Sequence, residues 1–181
     1  GITRSCTKHN NLVRKTIDLP KAIAEAYHIS TTGRKGPVLV DMPKDVLISE
    51  AEFKMPNKIR LPSYEDDPIL QKKDFNAFIS LLKSSKKPLL VFGRGSCDMS
   101  NVKNIRRILN RFKIPSLTSL MSLGVLGSSK SNFGMIGDDG SFASSELIKN
   151  ADLIVSIGCD LNKIIPEVSL GDKKLVVVNI D

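Results

Sequence analysis

Three glycine-bearing segments hold the residues best suited to chemistry. Gly93-Arg94-Gly95-Ser96 follows an apolar run, the stretch from Gly134 to Gly140 lies among serines and glycines, and Gly158-Cys159-Asp160 follows a second apolar run. Glycine lets backbone approach a ligand closely, and an arginine beside bare amides suits an anion such as a phosphate. The first segment is not the dinucleotide fingerprint: Asp98 stands where its third glycine belongs, and Pro115 to Leu120 offers no ribose-binding acid. Gly137-Asp138-Asp139-Gly140 supplies oxygen ligands of the kind a hard cation accepts.

Other routes to catalysis find little support. His9 and His28, the only histidines, are far apart and show no zinc spacing or triad pattern. Cys6, Cys97 and Cys159 include no CxxC pair and read as free thiols of a reducing compartment. Ser96, Ser119 and Ser122 have no identifiable base and no G-x-S-x-G elbow. The basic groups Lys83, Lys86 and Lys87, and Arg106 with Arg107, read as solvated surface.

The elements that must position these loops follow from periodicity. Asp18-Leu19-Pro20 signals a helix start with a capping carboxylate, Leu19, Ile23, Ala26 and Ile29 form its stripe, and it ends before Gly33. Val38 to Met42 reads as a strand closed by Pro43, giving an αβ unit too small to fold alone. Glu50 to about Lys73 is charged, contains three prolines and shows no sustained period, as a linker would. Asp74 then caps a helix with Phe75, Phe78, Ile79 and Leu82 on one face, and Pro88 to Phe92 is a buried strand. Ser100 caps the next helix, whose stripe is Val102, Ile105, Leu109 and Phe112, and Pro115 to Leu120 is a second strand. Met121 to Phe142 reads as a long loop, Ser144 to Asn150 as a short helix, and Leu153 to Ile157 and Lys174 to Ile180 as strands. Strands alternating with helices predict a doubly wound, mostly parallel α/β sheet with helices on both faces over residues 74–181, preceded by a partial αβ unit. In such sheets a ligand sits beyond the carboxyl ends of the strands, where the three glycine segments fall.

Composition bounds the function. The chain has 181 residues, 41% hydrophobic and 25% charged, a balance able to bury a core. Its net charge of +8 favours anionic ligands, while 5% aromatic residues and no tryptophan argue against stacking on nucleic-acid bases. No run reaches the roughly 18 apolar residues of a membrane span, and Gly1-Ile2-Thr3-Arg4 is not a signal peptide. The missing initiator methionine and the stop at Asp181, after an apolar run, read as an excised piece of a longer protein.

The segment Thr3-Arg4-Ser5-Cys6-Thr7-Lys8-His9-Asn10-Asn11-Leu12-Val13, with Asp18-Leu19-Pro20 and Gly33-Arg34-Lys35-Gly36-Pro37-Val38-Leu39-Val40-Asp41-Met42-Pro43-Lys44-Asp45-Val46, closely resembles the catalytic subunits of the acetolactate (acetohydroxyacid) synthase family. Lys87 to Gly95, Ile114 to Gly124, Gly134-Met135 and Ala151 to Gly158 continue the likeness in order. The resemblance implies a three-domain enzyme using thiamine diphosphate and Mg2+, which decarboxylates pyruvate and joins the two-carbon unit to a second 2-keto acid in branched-chain amino-acid synthesis. Residues 1–50 would end the pyrimidine-binding domain, 51–73 the linker, and 74–181 the central domain. The thiamine-activating glutamate and the magnesium-diphosphate domain would lie outside this chain, so it would be inactive alone and would hold no catalytic or metal residue. A homodimer or tetramer, a regulatory subunit, and a cytoplasmic or, in a eukaryote, organellar location are also implied.

Biosynthetic members of that family carry FAD in the central domain without redox use. By resemblance Arg4 would reach the diphosphate, Gly93, Arg94 and Gly95 would approach by backbone, and Ser119, Leu120 and Met121 would line the ribityl and flavin side. Gly134 and Met135 would lie nearby, Asp160 at the phosphates, and Ile180 and Asp181 by the adenosine. The family's Gly-Ala-Arg-Phe-Asp-Asp-Arg is here Gly158-Cys159-Asp160-Leu161-Asn162-Lys163-Ile164, so both arginines are missing and Asp160 places an anion among phosphates. Ile136 also replaces the histidine of a Gly-Met-His-Gly segment. FAD, ADP or no nucleotide all stay open, as does the alternative of a structural, dimerising central domain in a thiamine-dependent 2-keto acid decarboxylase or oxidase.

Overall fold

The structure, a computed structural model, describes residues 1–62, 64, 69–161 and 173–180. It divides into two compact units, Gly1–Ile69 and Leu70–Ile180.

In the first unit, β1 (His9–Leu12) pairs in parallel with β2 (Val38–Asp41), joined through α1 (Leu19–Thr31) and followed by α2 (Lys44–Ile48). The expected αβ unit therefore gains a strand and a helix. β1 escapes a reading by pattern because His9-Asn10-Asn11-Leu12 has no apolar alternation. Asp18 stands at the N-cap of α1, but its side chain makes no capping hydrogen bond. The buried face of α1 is Ala22 and Ile29, whereas Ile23, expected in the stripe, is half exposed. At the other end of the helix the Lys8 ammonium donates to the carbonyls of Ile29 (2.6 Å) and Thr32 (2.7 Å) and to the Tyr64 hydroxyl (2.8 Å). A cation there satisfies carbonyls that the helix leaves without partners and opposes its negative end. Thr7 Oγ1 donates to Thr3 O at 2.7 Å, and the Asn10 carboxamide bonds the Thr3 and Thr7 hydroxyls. The segment that carries the strongest family likeness is thus a structural staple.

The second unit holds α3 (Lys72–Ser84), β3 (Pro88–Phe92), α4 (Met99–Phe112), β4 (Ser116–Thr118), β5 (Asn132–Met135), α5 (Phe142–Asn150), β6 (Leu153–Ile157) and β7 (Lys174–Val178). All five strands are parallel, in the order β5-β4-β3-β6-β7. Alternate residues of the central strands point to opposite faces, as the pleat requires. Leu89, Val91, Leu117 and Ile154 pack with Leu147 and Ile148 of α5. Leu90, Phe92, Leu153 and Val155 pack with Phe78, Leu81 and Leu82 of α3 and with Val102, Ile105 and Leu109 of α4. Helices therefore cover both faces of a parallel sheet, as expected.

Several details differ from the sequence reading. Gln71 and Asp98, not Asp74 and Ser100, occupy the N-caps of α3 and α4, and neither makes a side-chain cap bond. Phe112 is 61% exposed, so the α4 stripe stops at Leu109. The expected loop from Met121 to Phe142 contains β5, an irregular strand whose pairing with β4 shifts register. Ser141 Oγ caps α5, accepting from Ser144 N at 3.1 Å. The turn from α3 into β3 is held by the Asp152 carboxylate, which accepts from Ser85 Oγ, Lys86 N (2.7 Å) and Lys87 N (3.0 Å). These donors, the Ser85 hydroxyl foremost, hold its pKa below the ordinary aspartate value.

Candidate functional site

The strand order reverses between β3 and β6, so the loops after these strands flank the position where such sheets bind ligands. Here the two loops close on each other. Gly93 N donates to Ile157 O at 2.9 Å, Gly95 N to Gly158 O at 2.9 Å, and Gly158 N to Val178 O at 2.8 Å. A Cβ on Gly95 would stand 2.8 Å from Gly158 Cα, and one on Gly158, at φ +60°, would stand 2.6 Å from two backbone atoms of Gly95. The glycines are thus explained by loop-to-loop contact. The expectation of bare amides at Gly93 and Gly95 is corrected, because both N–H groups are donated within the protein.

Serine hydroxyls complete this closure. Ser122 Oγ donates to Phe92 O at 2.6 Å, which also accepts from Ser119 N at 2.9 Å, and the Ser119 and Ser122 hydroxyls bond each other at 3.0 Å. Ser96 Oγ donates to Gly93 O at 2.6 Å and Ser156 Oγ to Cys159 O at 2.7 Å. Ser119 is therefore a buried tie between strand ends. No buried side-chain nitrogen or oxygen among the described residues lacks a partner. Burial pushes the Cys159 thiol up, Ser156 opposes this and the Asp160 charge adds to it, which leaves a poor nucleophile.

Outside the closed crevice the rim is open. Arg94 and Gly95 are exposed after β3, while Leu120 and Met121, 63% and 62% exposed, follow β4. Cys97 Sγ donates to Met121 O at 3.6 Å and brings these two loops together. Gly134, at φ +98°, and Met135 are half buried on β5, and Met135 pairs with Thr118 of β4. Asp160 is exposed just after the β6 turn, and Ile180 lies past β7. Arg4 is exposed in a 3-10 turn of the first unit, Ile2–Ser5. Asp181, with Asn162, Lys163 and Ile164, lies outside the described residues. The structure thus brings Gly93, Arg94, Gly95, Ser119, Leu120 and Met121 together at one end of the sheet. Ser122 and Arg106, which also build this end, have no local sequence motif, since their partners are backbone carbonyls distant in sequence. Among the described residues no group of histidine, cysteine and carboxylate side chains could hold a metal ion, and no helix is long and apolar enough to cross a membrane.

A parallel sheet whose strand order reverses at its centre, with helices on both faces, defines the class of doubly wound α/β domains. The family described as "Thiamine pyrophosphate enzyme, central domain" matches residues 75–181, and the chain belongs to it. Among curated relatives, the acetolactate synthase large subunit of Corynebacterium glutamicum is 38% identical over 87% of this chain and 25% of its own length. The acetolactate synthase large subunit of Lactococcus lactis is 32% identical over 100% of this chain and 32% of its own. The mitochondrial acetolactate synthase catalytic subunit of Saccharomyces cerevisiae is 35% identical over 87% of this chain and 24% of its own. The chain spans a quarter to a third of the length of these relatives.

Proposed function

We propose that this chain is part of a thiamine-diphosphate-dependent carboligase of the acetolactate synthase type, which decarboxylates pyruvate and joins the two-carbon unit to a second 2-keto acid. The observation that carries this reading is the likeness to an acetolactate synthase large subunit along 100% of the chain, through both compact units. In this reading residues 1–50 end the pyrimidine-binding domain, 51–73 link, and 74–181 form the central domain. Thiamine diphosphate supplies carbanion stabilisation, with Mg2+ holding its diphosphate, and both bind to parts of the enzyme outside this chain. The enzyme works as a homodimer or tetramer, with a regulatory subunit, in the cytoplasm or in an organelle.

The central unit fits a nucleotide only in part. Arg94 offers one cation and Leu120 and Met121 an apolar surface, as a flavin or adenine ring with an anionic group needs. A diphosphate seated on the amides of Gly93 and Gly95 does not fit, because both N–H groups are donated within the protein. FAD or ADP would therefore lie on the rim, held by Arg94, Leu120 and Met121, with Gly134 and Met135 to one side. Arg4, Ile180 and Asp181 complete the set this reading assigns to a nucleotide. The interlocked glycine loops favour a second reading, a purely structural central domain in a 2-keto acid decarboxylase or oxidase.

Product analysis of the full-length enzyme with pyruvate, thiamine diphosphate and Mg2+ separates the two. Acetolactate formation is expected; release of free aldehyde, or oxidation to an acid, would replace the first reading with the second.

A further inference from the structure

The crossover from β4 to β5 has no α-helix, only a single 3-10 turn at Leu120–Ser122, so most of its backbone carbonyls lack the repeating ladder that usually satisfies such a connection. It turns instead through Val125 N to Ser122 O and Gly127 N to Gly124 O, both 3.1 Å, with Gly124 at φ +93° and Gly127 at φ +55°. Val125 and Leu126 anchor it in the core on the α4 side of the sheet. Two neighbouring carbonyls at its apex are gripped by one side chain. Arg106, on α4, donates from Nε to Val125 O at 2.9 Å and from Nη2 to Gly124 O at 2.7 Å. A Cβ on Gly127 would stand 3.1 Å from the guanidinium carbon, so the glycine leaves room for the planar fork to lie flat on the turn.

We infer that Arg106 is a positioning residue: it locks the Leu120–Gly127 crossover to α4 and so sets where the exposed side chains of Leu120, Met121 and Leu123 stand at the rim. The inference rests on the reading that a nucleotide with an apolar ring lies on that rim. Two charge-assisted bonds from a rigid fork hold a turn in one geometry, which a lysine ammonium on a flexible stem does not reproduce.

The test compares wild type, Arg106→Gln and Arg106→Lys in the full-length enzyme by amide hydrogen exchange and by titration with FAD and with ADP. In Arg106→Gln, exchange across residues 119–127 is expected to rise roughly ten- to a hundredfold, the equivalent of losing charged hydrogen bonds, with β3 and α5 unchanged. Affinity for whichever nucleotide wild type binds should fall roughly tenfold, and Arg106→Lys should recover only part of both effects. Unchanged exchange in the crossover overturns the lock. A uniform rise in exchange across the whole unit, with a lowered melting temperature, reduces Arg106 to a general stabiliser and overturns the positioning role. Raised local exchange with unaltered nucleotide affinity does the same. If wild type binds neither nucleotide, the rim reading and this inference fall together, while acetolactate formation by the same preparation tells that failure apart from failure of the carboligase reading.

Discussion

At Gly158 the backbone itself decides what may stand there. Its φ of +60° is strained for any side chain, and an added Cβ would meet Gly95 at 2.6 Å, backbone that cannot rotate away. Gly158→Ala should therefore cost about 2–4 kcal/mol, combining left-handed strain with overpacking. Urea unfolding would measure it, and a loss below about 1 kcal/mol would mean the loops are not interlocked. Asp152 makes a prediction with a sign in pH. Its folded pKa is lowered, so the stability it contributes is fully present above the ordinary aspartate value of about 3.9 and is lost as pH falls through the folded value. Asp152→Asn should be less stable than wild type at pH 7, with the gap closing as pH falls below about 4; a gap independent of pH would show that the carboxylate charge is irrelevant. At this scale the site was half legible. Glycine at 93, 95 and 158 correctly marks close approach, but a linear sequence does not say whether the approaching body is a phosphate or another loop some sixty residues away. Arg94, Leu120 and Met121 reach the surface as a ligand-facing role requires, whereas Ser119 turns inward, its hydroxyl bonded to the Ser122 hydroxyl that closes the end of β3.

Among the elements, those with strong periodicity were readable and those defined by their neighbours were not. Pro88–Phe92 is a continuous apolar run and Leu153–Ile157 is one broken only by the buried Ser156, because both faces of the sheet are covered, and the α3 and α4 stripes point at one of those faces. β1 and β5 are short and carry asparagine or a positive-φ glycine; pairing with an adjacent strand makes them strands, not their own propensity. Helix stripes also mislead at their ends, where the sheet no longer lies beneath. Leu109 is 1% exposed and Phe112 61%, though the spacing ranks them alike. Leu109→Ala should cost about 2–5 kcal/mol and Phe112→Ala less than about 1 kcal/mol. Equal losses in chemical denaturation would mean that α4 packs along its whole length.

Taken whole, the molecule joins two units with very different means of support. The second has five strands and a core on each face of its sheet, with fully buried leucines, valines and a phenylalanine from β3, β4, β6 and α4. The first has a two-stranded sheet and a buried cluster of Val13, Ala22 and Val46, while Leu12, Ile17, Ile23, Leu47 and Ile48 remain exposed. Two strands with one long and one short helix sit near the lower limit of independent stability, and parallel pairing is normally found buried on both sides. The Lys8 cap and the Thr3, Thr7 and Asn10 hydrogen bonds tighten this unit locally but add little apolar burial. Opening should therefore be far more frequent in residues 1–69 than in 70–180, and proteolysis under native conditions follows the population of open forms. Brief digestion of the 181-residue chain should remove the first unit and leave a product beginning near residue 70, identified by its mass. Cleavage at equal rates in both units would require the first to draw stability from contacts beyond its own core. If the product near residue 70 is the one that survives, the proposed carboligase reading predicts that residues 1–69 are lost more slowly from the full-length enzyme than from the 181-residue chain, because further apolar burial on that unit lowers the population of its open forms.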